Sequence, residues 1–241
     1  MLDAYLTQTE NLLQSPGSPQ ALYSTTNLTL WINTARSQLA GEGECIRYYG
    51  TLPLVGSTQS YGLASINTGT SSANGIQGVL NVRQIYLSGG TIMLRQWPWE
   101  YFNFFYVANT TIAEATPVSW AQYGQGVTGS IYLSPTPSAT ITANLDCVCY
   151  PIPLVDDTTV EAIPYPWTDA VPFFAAYFAL LSAQAGERQD DADRMFARYQ
   201  EFANRARRFS TPAVTPYQSE QSGISSPVPP AGVMPPSNGG G

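Results

Sequence analysis

At 241 residues, 44% of them hydrophobic, the chain is long enough to bury a sizeable core as one large domain or two small ones. Only 11% of residues are charged, with no histidine and no lysine, all ten basic residues being arginine. This excludes serine triads, two-histidine zinc sites, Schiff-base chemistry and Walker-type nucleotide sites, and leaves catalysis to carboxylates alone. The net charge of −7 has the wrong sign for gripping nucleic acid through its phosphates, and a surface so poor in charge points to cover by partner chains.

The first forty residues read as two helices. Leu2, Leu6, Leu12 and Leu13 give the first an apolar face, and the Pro-containing run from Ser15 to Pro19 ends it. The opening has no basic n-region and no continuous apolar run, and no stretch nears the roughly 18 apolar residues of a membrane span, so neither secretion nor membrane insertion is expected. Thr26 or Asn27 is the expected cap of the second helix; Leu28, Trp31, Ile32, Ala35 and Leu39 recur at helical spacing, and Gly41 is its expected stop.

From Cys45 to Pro153, short β-branched and aromatic runs alternate with Gly, Ser, Asn and Pro clusters, the pattern of an antiparallel sandwich or barrel. Gly89-Gly90 reads as a tight hairpin turn, and SPTPSA (134–139) as a proline turn between two strands. Trp97, Trp99, Tyr101, Phe102, Phe104, Phe105 and Tyr106 form a dense aromatic cluster. With only Arg95 beside it, a β-core or a subunit interface fits better than a nucleic-acid platform. Cys147 and Cys149 lie two apart in a strand-like run, on one face, so they cannot bridge comfortably; with Cys45 they read as reduced, partly buried thiols in a reducing compartment.

Residues 168 to 209 read as a helical hairpin. The first segment is apolar almost all round and should be buried on more than one side. The second is amphipathic, with Asp190, Asp191 and Asp193 at its start and Arg205, Arg207 and Arg208 at its end, each complementing the helix dipole. The last thirty residues, rich in Pro, Ser and Gly, cannot build a core of their own. They read as a spacer or as an arm ordering on a neighbour through Tyr217, Val228, Val233 and Met234. Asp156, Asp157 and Glu161, and likewise Glu42 and Glu44, read as solvated corners rather than cation sites. No metal, cofactor or catalytic residue is expected.

The expected fold is therefore α+β. N-terminal helices (1–44) and the C-terminal hairpin (156–209) form a helical bundle, around a central β-sandwich or barrel-like domain (45–155), followed by an extended arm (210–241). The stretch from Ile131 to Arg208 resembles podophage and related head-to-tail adaptor proteins. A strand with a Pro-x-Pro turn (IYLSPTPSATITANLDCVCY) precedes an acidic loop (PLVDD), then the proline-aromatic run IPYPW and a helical hairpin whose acidic turn precedes Ala-x-x-x-Phe-x-x-x-Tyr. The resemblance implies a non-enzymatic virion protein at the head-tail junction, assembled in the host bacterial cytoplasm. It would form a ring, typically of twelve copies, binding the portal and the tail nozzle or tube. The genome would pass through its lumen without specific binding. Arg198, Arg205, Arg207 and Arg208 are then candidates to clamp a neighbouring subunit, and the four tail residues to hold the portal. Two alternatives are a tail-tube or baseplate protein, which would lack the hairpin, and a carbohydrate-binding β-module using the aromatic cluster with Glu100 and Glu114.

Overall fold

Two helices open the chain, α1 (Leu2–Leu13) and α2 (Thr25–Gly43). The computed structural model describes residues 1–14, 23–69, 73–87, 89, 91–108, 113–182 and 188–210. The α2 cap is Ser24, whose hydroxyl accepts from Asn27 N–H at 3.2 Å, two residues before the earlier expected position. The helix also runs through Gly41 and ends on Glu44 in the left-handed conformation (φ 47°). Gly43 is needed as glycine for a different reason. A Cβ there would stand 3.0 Å from that of Ala206, so its absence lets α2 and the last helix approach closely.

Among the described residues eight strands follow: β1 (Arg47–Leu54), β2 (Ser60–Gly62), β3 (Ile76–Leu87), β4 (Ile92–Met93), β5 (Arg95–Gln96), β6 (Ser119–Tyr123), β7 (Ser130–Ser134) and β8 (Ile141–Pro151). They form two four-stranded sheets, ordered β1-β8-β3-β4 and β2-β7-β6-β5. All pairings are antiparallel except the short parallel β5–β6 pair. The chain passes between sheets at β4–β5, with Leu94 alone between them; its N–H goes to Ile85 in the first sheet and the next N–H, of Arg95, to Val118 beside the second. The proline turn after β7 likewise links strands of different sheets. Gly89, at φ 68°, lies in the β3–β4 connection, where Leu87 pairs with Ile92.

Strand β3 is interrupted by register shifts against β8, which leave backbone groups without ladder partners. One is filled from the other sheet: Gln122 of β6 accepts from Val82 N–H at 2.9 Å and donates to Asn81 Oδ1 at 3.0 Å and to Gly124 O at 2.7 Å. The sheets also share one apolar cluster, with Leu52, Ile85, Leu145, Cys147 and Cys149 from the first and Trp120, Ile131 and Leu133 from the second. All three cysteines are free and buried, and burial pushes each thiol from 9.0 to about 12.

The aromatic run departs from the sequence reading. It is not a strand: Pro98 caps a helical turn, α3 (Trp99–Phe102), that continues as a π-helical turn, Asn103–Val107.

The last two helices are α4 (Val171–Ser182) and α5 (Gln189–Ser210). Ring pairs fix their direction: Phe173 meets Phe202, Phe174 meets Tyr199 and Tyr177 meets Phe196, so rising positions on α4 match falling ones on α5 and the helices are antiparallel. As expected of a segment apolar all round, α4 is covered on several sides, by α1, α2 and α5. Helix α2 also packs against β8. Residues 1–210 form one compact α+β unit. Among the described residues no helix is long and apolar enough to cross a membrane.

Candidate interaction surfaces

The firmest polar point of the fold is buried. Arg36 of α2 and Glu161, in the loop after β8, have side chains 1% and 7% exposed. The guanidinium donates through Nε and Nη2 to the two carboxylate oxygens, both at 2.9 Å. Tyr5 of α1 adds a hydroxyl to Oε2 at 2.9 Å, and Ile163 its N–H to Oε1 at 2.9 Å, so the carboxylate accepts four bonds. Burial, and then the adjacent Glu161 charge, push the Tyr5 phenol far above its usual range. Asn33, one turn before Arg36, grips Leu154 through both its N–H and carbonyl, at 2.7 and 3.0 Å. Glu161 is thus no solvated corner; it ties α1, α2 and the loop after the sheet together.

The other acids of these corners are also engaged. Asp156 accepts from the hydroxyls and N–H groups of Thr158 and Thr159, which hold its carboxyl below the usual range. Asp157 accepts from the Met1 ammonium and from Asp3 N–H, and is held down at about 2. Glu42 accepts from the Tyr199 hydroxyl at 2.8 Å, and Glu44 pairs with Arg83. Among the described residues no group of three His, Cys, Asp or Glu side chains gathers to hold a metal ion.

Among the described residues two surfaces stand out. The first is the aromatic turn. Its inner rings anchor it: Trp99 lies 4.8 Å from Tyr123 and 4.7 Å from Tyr132, Phe102 is fully buried, and Tyr106 lies 5.0 Å from Phe102. The outer rings face solvent: Tyr101 is 60% exposed, Phe104 72% and Phe105 53%. The spacing Trp99, Phe102, Tyr106 is helical, a signal present in the sequence but masked by its β-forming composition.

The second lies on the helices. Leu12, Pro172, Phe173 and Phe202, with Gln8, Asn11 and Asp169, line a mostly apolar hollow of about 460 Å³ between α1, α4 and α5. Beyond it, at the end of α5, Arg205, Arg207 and Arg208 are exposed and have no carboxylate partner among the described residues. Arg198 differs: it pairs with Glu201 at 2.5 Å and lies over the Phe202 ring at 5.4 Å. Phe209, beside Trp167 at 5.8 Å, is exposed at the same end. Tyr217, Val228, Val233 and Met234 lie outside the described residues.

No curated protein sequence matches the chain. The family model described as SU10 adaptor protein matches residues 4–226, from α1 through every strand to beyond α5, and the chain accordingly belongs to this family of phage head-to-tail adaptor proteins.

Proposed function

We propose that this adaptor is a structural, non-catalytic subunit of a ring of twelve copies that joins the portal to the tail nozzle or tube. Its place is the head-tail junction of the virion, after assembly in the host bacterial cytoplasm. The family match over residues 4–226 carries this reading. Composition supports it: with 11% charged residues and a net charge of −7, a closed ring would hide apolar surface against two neighbours while an acidic lumen let DNA pass without adhering.

In this reading the packed helices α1, α2, α4 and α5 act as a bundle that builds the ring, and the β-rich segment from 45 to 155 is held to it through the core they share. The arginines at 205, 207 and 208, free of internal carboxylates among the described residues, suit bidentate pairing with a neighbour's acids. Arg198, already paired, would contribute less. With Ser210 closing α5, the arm is residues 211–241, which order on the portal through Tyr217, Val228, Val233 and Met234.

Negative-stain imaging of the purified protein, alone and with its portal, tests the ring. Rings seated on the portal are expected; a protein that stays monomeric on it would overturn the reading. Removal of residues 211–241 should weaken portal attachment, and unchanged attachment would leave that segment a spacer.

A further inference from the structure

We propose that the aromatic turn of one copy docks into the apolar hollow of the next, giving a head-to-tail contact between copies of this chain. The inference rests on the ring reading and specifies which surfaces close it.

The turn is built to project. Trp99, Phe102 and Tyr106 pack beneath it, Gln59 holds Tyr106 O at 3.3 Å, and Arg95 lies over the Trp97 ring at 4.8 Å. The anchored base leaves Tyr101, Phe104 and Phe105 outward, the last two edge to face at 5.1 Å. A convex group fixed in advance loses little freedom on docking. The hollow is the concave counterpart, lined chiefly by Leu12, Pro172, Phe173 and Phe202. The three rings are exposed in their own chain, so they do not fill their own hollow; the occupant is a second copy. Because the two surfaces differ, the contact is heterologous, the kind that closes into a ring when its rotation permits.

Charge agrees with this pairing. Glu100 sits in the first turn of the projection, and Arg205 stands three residues beyond Phe202, on the same side of α5. Neither has an ion-pair partner among the described residues. Three aromatic side chains at this exposure offer roughly 350 Å², under half of the roughly 800 Å² per partner of a standard interface. The helix surface around the hollow must supply the rest.

The test uses the full chain, its oligomers counted by mass photometry and imaged on the portal. Phe104→Ser with Phe105→Ser should lower the ring fraction at least tenfold while the far-UV spectrum and melting stay native. Both rings are exposed, so their loss leaves the core intact. Glu100→Arg and Arg205→Glu should each weaken assembly, and the two together should restore it. Wild-type ring yield in the Phe104/Phe105 variant, or a double reversal no better than either single one, would overturn the docking while leaving the ring reading standing. A wild-type chain that never forms rings would sink both.

Discussion

Arg36 and Glu161 are 125 residues apart in sequence and share a bidentate pair of 2.9 Å bonds in the interior. Removing one partner strands the other charge away from water. Glu161→Gln or Arg36→Met should each cost about 3–5 kcal/mol, and lower the melting temperature by roughly 10 °C. An apolar double replacement, Arg36→Met with Glu161→Leu, should recover only part of the loss, because the Tyr5 hydroxyl and the Ile163 N–H are left without their acceptor. Thermal and urea unfolding check both; single variants as stable as the parent would show the pair to be dispensable.

Stability should fall as pH rises from 9 toward 12. The sign follows from the thiols: Cys45, Cys147 and Cys149 ionise at about 12 when folded against 9.0 when exposed, so their contribution is complete below pH 9 and drains away above it. Tyr5 and Tyr199, also raised, act in the same direction above pH 10. Urea midpoints across this range should fall less steeply for a Cys→Ala triple variant. Native thiols should also resist alkylation at pH 8 until the chain is unfolded.

Gly75→Ala should be among the most damaging single-methyl changes. Gly75 has φ 68°, and an added Cβ would stand 2.4 Å from the carbonyl oxygen of Val160, a backbone atom that cannot rotate aside. A cost above about 2 kcal/mol is expected. Chemical denaturation measures it.

Gln122→Leu leaves the Val82 N–H without its acceptor inside the β3 irregularity. A loss of about 1–3 kcal/mol is expected. Hydrogen exchange at Val82 should quicken more than at Leu145 in the neighbouring strand; equal protection at both would show that another group takes over.

Local patterns revealed most of the helices. The apolar stripes of α1, α2 and α5 and the all-round apolar surface of α4 carry a 3.6-residue period that packing then uses. The α2 boundaries moved because Ser24 offered a better cap and Glu44 tolerated the left-handed turn. Most strands were legible too, although β6 (SWAQY) was too short and mixed to stand out.

The aromatic run misled because its composition favours strands while Pro98 and the 99-102-106 spacing favour a helical turn, and the packing of Trp99 on Tyr123 and Tyr132 decides for the turn. Glu161 was equally opaque. Nothing within ten residues distinguishes it from its exposed neighbours Asp156 and Asp157, since what buries it is an arginine in the second helix. Of the two surfaces proposed to meet, the aromatic one was visible as a cluster, whereas the hollow is assembled from three helices and has no local signature.

The long reach of the Arg36–Glu161 bond also sets a schedule for synthesis. Helices α1 and α2 leave the ribosome ahead of the strands, yet their buried cation has no counter-charge until 125 more residues have followed. At about 5–20 residues per second that is a wait of roughly 6–25 s. During it Arg36 must stay hydrated and the helices cannot settle on the sheet. The β strands therefore emerge before the helical layer can close, and the finished subunit is locked by one of its last loops to appear.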